Sequence, residues 1–464
     1  MYMKKQMICI VLGFFYILIS VIHPIAAEWS NPVVVSTESN KSAYRAILGI
    51  DNDDTLHIAW KDNSNYSNAG DDWDIFYKFK PADGSWTKTE VVSVESTNDS
   101  NCLFMSVDKN KTVHVVWKDQ TDIDNAGDDF DIFYKYKPFN GNWSKIQLVS
   151  VNSTQNSGCP CSVIDKNGNL HVVWSDCIDC EVSSNEWNVY YSRLNDDNFS
   201  FPELVSAEST AESFEPVIAV DSKLNIHVVW YEKSNYGNSG DDFDIFYKYK
   251  PFNGNWSETQ VVSKESTGSS TIPALTVDSD DVLHLVWVDT TNINNAGSDG
   301  DIFYKNKSLD KDWSELQVVS TESNTFGHWP SITTDLNDTV HVVWKDKIVT
   351  NNSFRYDDIF YKYKPKNGEW SNLELVSKNS KKESNWGSIV TDSKGGVHVT
   401  WWDDFDGRWV MYYSNRTSVD INLTTHINGG KNDTGKNDNT YNIFYVILVI
   451  ITILFIIFIY LKKK

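Results

Sequence analysis

Short runs of apolar, β-branched and aromatic residues recur along the chain, separated by Gly, Asn, Asp and Pro, a pattern that predicts antiparallel strands. The runs come in groups of four. One group comprises Pro216–Val220, Ile226–Trp230, Asp244–Tyr249 and Trp256–Ser263. A Trp in the second run marks each group and recurs at 60, 117, 174, 230, 287, 344 and 401, a period of about 57 residues. Four strands in a repeat of this length are the mark of a propeller blade, so the chain is read as an all-β, seven-bladed β-propeller.

The register of the blades follows from two further spacings. In six units a Tyr of the third strand lies 17 residues after the marker Trp, at Tyr77, Tyr134, Tyr191, Tyr247, Tyr304 and Tyr361; in the last unit the interval shortens to 12, at Tyr413. An aromatic precedes a Ser by seven residues in the fourth strand, as at Trp86 and Ser93 or Trp256 and Ser263. An extra copy, Trp29 and Ser36, sits near the N-terminus, while the seventh unit ends near Arg416 without a fourth strand. The N-terminal strand is therefore expected to complete blade seven, which closes the ring and removes an open sheet edge.

Seven of the ten His share one position of the second strand (57, 114, 171, 227, 284, 341 and 398), and an Asp ends each preceding strand. A catalytic pair is needed once, whereas seven copies around a ring share no substrate. The Asp is expected to close a tight turn, and Asp221, His227 and Trp230 are assigned structural roles.

The loop between strands two and three and the link to the next blade emerge on one face, and both are long here. Function is expected on that face. Four of its loops carry an acidic motif with Asp71, Asp72 and Asp74; Asp128, Asp129 and Asp131; Asp241, Asp242 and Asp244; and Asp299 and Asp301. Blade six keeps Asp357 and Asp358. These residues are the candidate ligand-binding face. Asp and Asn oxygens around a Gly turn suit Ca²⁺, although the EF-hand spacing is absent, and solvated turns have the same composition.

Blade three lacks the motif and holds Cys159, Cys161, Cys177 and Cys180. Outside the cell, two disulfides linking the first two to the last two are expected, with a zinc set as the alternative. Cys102 occupies the repeat position of Cys159 and is either free or a competing partner.

The ends of the chain place it. Lys4 and Lys5, an apolar run from Met7 to Ile22 and Ala26-Ala27 read as a secretory leader, residues 1–27, with an uncleaved anchor as the alternative. The propeller occupies 28–416, and a polar stalk, 417–440, follows. The segment 441–461 contains an uncharged run, Ile443 to Leu461, long enough to cross a bilayer as a helix, and Lys462–Lys464 form a cytoplasmic basic tail. The expected location is the cell membrane, single-pass, with the N-terminus outside. The formal charge of −22 repels phosphate backbones, so nucleic acid is not an expected partner. Sequons such as Asn98, Asn142 and Asn255 accord with a secreted, glycosylated surface.

Units such as Leu-His-Val-Val-Trp and Asp-Ile-Phe-Tyr-Lys, with a Gly-x-Trp-Ser turn into the fourth strand, resemble the sialidase-like propellers with bacterial neuraminidase repeats, across Glu28 to Arg416. The resemblance implies glycan chemistry and a clamp of three Arg on a substrate carboxylate. The chain departs from it: Lys250-Pro251-Phe252-Asn253-Gly254-Asn255-Trp256 lacks the Ser and Asp of that family's Asp-box, and only five Arg occur, at 45, 193, 355, 408 and 416. No catalytic residue is transferred. The leading reading is a surface-displayed binding or adhesion module for a glycan or protein ligand. A divergent sialidase-like hydrolase and a structural cell-envelope protein are the alternatives. Replacing Asp221 and His227 together is expected to lower the melting temperature while ligand affinity stays unchanged; an unaltered melting temperature would count against their structural assignment.

Overall fold

The computed structural model describes residues 28–417 apart from 124–125, 179–186, 196, 294–298, 324 and 348–355. The expected leader, membrane segment and tail, and all but the first residue of the expected stalk, lie outside these. No helix among the described residues is long and apolar enough to cross a membrane.

Seven antiparallel sheets form, one for each repeat. Blade one runs outward through Ala43–Ile50, Leu56–Asp62, Asp74–Lys80 and Glu90–Val91. The inner strand of each blade touches that of the next, and the seventh touches the first. Blade seven is built from Ser384–Thr391, Val397–Phe405 and Arg408–Arg416, and Val33–Val34 supplies its outer strand, pairing Val33 with Tyr413. The ring therefore closes with the N-terminal strand, as the extra Trp29 copy predicts.

Outer strands are shorter than the sequence pattern suggests. In blade four only Gln260–Val261 pairs regularly, against an expected Trp256–Ser263. The flanks are held by single bonds instead: Ser257 N–H donates to the Tyr249 carbonyl at 2.8 Å and Val262 N–H to Ile245 at 2.7 Å. A short outermost strand limits the exposed template for pairing with another chain.

The marker tryptophans are fully buried. In six blades the indole N–H donates to a carboxylate two residues on, from Trp60 to Asp62 at 2.9 Å through Trp344 to Asp346 at 3.1 Å. The repeated Asp closes its turn as expected: Asp221 Oδ1 accepts the N–H groups of Lys223 and Asn225 at 2.9 and 2.8 Å. His227 Nδ1 lies 2.9 Å from the Tyr247 hydroxyl, and all seven histidines make this contact with their third-strand Tyr. Burial pulls His57 and His171 down to about 4, against the opposing pull of Asp51 and Asp165, so both imidazoles are neutral at neutral pH.

Each third-strand Tyr also receives, edge-on, the outer aromatic of the next blade. Trp143 meets Tyr77 at 5.3 Å, Phe199 meets Tyr134 at 5.4 Å, Trp256 meets Tyr191 at 5.5 Å, Trp313 meets Tyr247 at 5.4 Å and Trp370 meets Tyr304 at 5.2 Å. Across the closure, Trp29 meets Tyr361 at 5.1 Å and Trp86 meets Tyr413 at 5.5 Å. Seven interfaces thus share one contact.

Five interfaces add a buried lysine. Lys78, Lys135, Lys248, Lys305 and Lys362 each donate to a carbonyl of the preceding blade's outer segment and to a Glu there. At the other two seams both partners have changed together: Ser192 and Ser414 hold the repeat position of the lysine, and Asn152 and Asn379 that of the glutamate. A buried lysine without its carboxylate is costly, so the pair is kept or lost as a unit. The seam between blades two and three carries a disulfide, Cys102–Cys159, with a Cα separation of 5.1 Å. The seam between blades six and seven carries a bidentate Arg416–Glu374 pair, both bonds 3.0 Å.

This disulfide corrects the expected cysteine pairing. Cys102 and Cys159 share a repeat position at the narrow centre of the ring, where equivalent residues of adjacent blades come within bonding reach. Cys161 opens its strand as a buried free thiol, Cys177 is disulfide-bonded, and Cys180 lies outside the described residues.

Glu208→Asn should destabilise the protein by about 2–3 kcal/mol, because it strands Lys248 in the interface. Adding Lys248→Ser, which copies the Asn152–Ser192 seam, should recover most of that loss in a denaturant titration; no recovery would refute the pairwise account.

Candidate functional site at the channel mouth

The last Asp of each acidic loop proves to be the buried first residue of a third strand. Asp74, Asp131, Asp244, Asp301 and Asp358 each accept the hydroxyl of the fourth-strand Ser, at 2.6–2.8 Å, from Ser93, Ser150, Ser263, Ser320 and Ser377. The same hydroxyl takes the next backbone N–H, as from Ile75 to Ser93 at 2.9 Å. This double bond explains the fixed aromatic-to-Ser spacing. Across the ladder stand second-strand carboxylates, Asp62 opposite Asp74 and Asp119 opposite Asp131. Burial, reinforced by neighbouring carboxylates, pushes Asp74, Asp131 and Asp301 up to about 7 and Asp244 to about 6.

The remaining members of the motif sit on the surface of their own blades. Asp71, Asp128 and Asp241 are exposed, and Asp71 pairs with Lys41 at 2.7 Å. Asp72, Asp129, Asp242 and Asp299 are half-buried, and Asp357 pairs with Lys345 at 2.6 Å. Among the described residues, no group of three His, Cys, Asp or Glu side chains could hold a metal ion. The structure distributes these carboxylates by blade and does not gather them at one point.

What it does gather is a ring at the start of the inner strands, on the long-loop face. One repeat column supplies Arg45, Cys102, Cys159, Glu215, Ile272, Trp329 and Trp386, which line a cavity of about 190 Å³. Six of the seven are left-handed without being glycine, with φ between 43° and 56° for Arg45, Cys102, Glu215, Ile272, Trp329 and Trp386. The ladder slips at this point, between Tyr44 and Ile47 in blade one and at matching sites in the other five of these six blades. A bulge re-aims its side chain, and left-handed backbone is costly for a β-branched residue such as Ile272. Here the re-aimed column faces the axis.

The contents of the ring are unequal. The Arg45 guanidinium stacks 4.3 Å over Trp386 and donates to Cys102 Sγ at 2.9 Å. Trp386 and Trp329 are 5.2 Å apart. Burial pushes the Glu215 carboxyl up, with Arg45 opposing it, and draws Arg45 down. Two aromatic groups flank the cavity. Tyr44, Trp73, Trp402 and Trp409 cluster at blades seven and one, with Tyr44 within 4.9–6.1 Å of the other three. Trp187, Phe214, Tyr231 and Phe243 do so at blades three and four. All except the exposed Trp409 are half-buried, so polar and apolar edges both face the opening.

Among the described residues no three-Arg clamp forms. Arg416 is held by Glu374, Arg408 donates to the Ser39 carbonyl at 2.6 Å, Arg193 lies on the third strand of blade three, and Arg355 is outside the described residues. Neither the ring nor the aromatic groups were singled out from the sequence. The available signal was the column that varies while its neighbours repeat.

No family model and no curated protein matches the chain. Solved structures do. An ulvan lyase, a polysaccharide lyase bound to a saccharide, superposes with a TM-score of 0.52 at 10% identity, covering 83% of this chain and 93% of its own. Trypanosoma rangeli sialidase gives 0.44 at 13% identity, covering 73% and 57%. Penicillium chrysogenum α-L-arabinanase gives 0.48 at 11%, covering 68% and 93%. At these identities the likeness is one of fold: the chain shares the β-propeller architecture of the ulvan lyase.

The raised carboxyls give a pH signature. A group whose folded pKa is about 7 against an unfolded value near 3.8 stabilises the fold fully only at low pH, and that contribution is lost as pH rises through 7. Asp131→Asn keeps the Ser150 acceptor, as Asn188 does for Ser206 at 3.0 Å in blade three. It should therefore stabilise the protein, by on the order of 1 kcal/mol at pH 8 and less at pH 5. A gain independent of pH, read by calorimetric melting, would contradict this.

Proposed function

We propose that the protein binds carbohydrate, with the sugar seated in the cavity at the channel mouth. The observation that carries this reading is a set of aromatics gathered around one opening in addition to those that the repeated core and seams use. The seven repeated tryptophans serve the core, whereas Trp73, Trp329, Trp386, Trp402 and Trp409 have no architectural duty common to all blades. Flat faces with a few polar groups suit a sugar ring, which has apolar C–H faces and a hydroxylated rim. The ulvan lyase that shares the fold is itself described as a polysaccharide lyase, which agrees with this choice of ligand.

Binding is favoured over hydrolysis by the carboxylate inventory. Glycosidases typically need two carboxyls about 5–9.5 Å apart, and Glu215 is the single carboxylic acid among the residues lining the cavity. The secretory leader, the apolar run from Ile443 to Leu461 and the terminal lysines support display of the propeller outside a membrane, in an adhesive or capturing role. On a glycan array, the purified full chain should retain a defined set of saccharides, and Trp386→Ala should weaken that retention by roughly tenfold or more. Unchanged retention by the variant would move the site elsewhere, and turnover on a panel of fluorogenic glycosides would favour the hydrolase.

A further inference from the structure

Buried cations in this acidic protein are matched, with one cluster of exceptions. Lys78, Lys135, Lys248, Lys305 and Lys362 each contact a Glu, and buried Lys307 is spent on the Lys311 carbonyl. Lys61 is equally buried, at 3% exposure, yet makes no ion pair. Its ammonium donates to Asn101 Oδ1 and otherwise faces rings, 4.5 Å from Trp73 and 5.2 Å from Tyr44. Lys118, at the same repeat position in blade two, lies 4.6 Å over Phe130. Arg45 stands beside them at the cavity edge, stacked on Trp386.

The three cations feel one another. Burial first, then Arg45 and Lys118, lower Lys61 to about 8, with Asp99 opposing; burial and Arg45 lower Lys118. Glu215 offsets Arg45 from across the ring. Among the described residues, none of the three has a carboxylate within ion-pair distance. A net charge of −22 would supply partners readily if these cations were merely structural. Leaving three of them unpaired and partly desolvated, with Arg45 lining the cavity and the two lysines coupled to it, is costly unless an anion arrives.

Resting on the carbohydrate reading above, we infer that Arg45, Lys61 and Lys118 form an anion-recognising corner and that the saccharide bound there is acidic, carrying a carboxylate or a sulfate. The corner belongs to blades one and two, next to the aromatic group of Tyr44 and Trp73. The sugar ring rests on the aromatics while its charged substituent takes the unused N–H groups. Charge-assisted bonds in a half-buried site then supply selectivity, and they also draw an anion toward a protein whose overall field repels it.

Affinity electrophoresis of the full chain through gels containing polygalacturonate, dextran sulfate or neutral dextran tests this. At least one charged polymer should bind roughly tenfold tighter than dextran, an advantage that shrinks as salt is raised. The preferred polymer distinguishes carboxylate from sulfate. Lys118→Gln should remove most of the advantage, while Lys223→Gln on the opposite face should behave as the parent. Because Lys118 is partly exposed, its variant should melt with the parent, and that melt is checked alongside. Equal affinity for charged and neutral polymers, or an unaffected Lys118→Gln, overturns the acidic assignment but leaves carbohydrate binding standing. Absence of binding to every saccharide on both gel and array removes both readings.

Discussion

The contact on which the ring depends is the edge-on meeting of an outer-strand aromatic with the third-strand tyrosine of the preceding blade. It recurs at all seven seams, including the two that involve the N-terminal strand. Each tyrosine is fixed from behind by the second-strand histidine of its own blade, and all seven of those histidines lie within 3.8 Å of the carboxylate that closes the adjacent turn. Turn, strand and seam are thereby joined in one hydrogen-bonded and stacked unit. Blade faces in a propeller are wedges, and wide flat side chains fill the broad outer part of a wedge without leaving cavities.

Because that unit is repeated, the seams can vary elsewhere. The buried Lys–Glu staple is present at five and absent at two, and where it is absent both residues have changed together. A disulfide near the axis lies at one of these seams and an Arg–Glu pair at the other, the latter in the position that Lys137–Glu90 and Lys250–Glu203 hold at two stapled seams. The same freedom operates at the centre. The inner-strand bulge recurs while the residue on it ranges from Arg to Ile to Trp. A rigid, repeated frame thus presents a non-repeated set of side chains, the arrangement that a selective binding site requires.

The acidic loops illustrate the opposite case. Their repetition across blades marks them as parts of the frame, and the buried final Asp of each loop anchors the fourth strand through its Ser. Their charge raises the cost of burial, which appears as carboxyls pushed towards neutrality. The long-loop face holds the candidate site, but at its aromatic and cationic centre, and the acidic residues surround that centre.

Much of this protein was legible in order along the chain. Strand number, blade count, closure by Trp29 to Ser36 and the structural duty of Asp221, His227 and Trp230 follow from spacing, because a repeat must solve the same packing problem each time. Position within the ring was not legible in that way. Cys102 and Cys159 are 57 residues apart and read as equivalents, not partners, until closure brings adjacent inner strands together. Arg45, Glu215, Trp329 and Trp386 are likewise scattered, and only the bulged backbone turns them toward a common axis. Periodicity reports what each blade buries against its neighbour. Convergence on the axis depends on the closed ring, and so it was the tertiary structure that decided where the chain can bind.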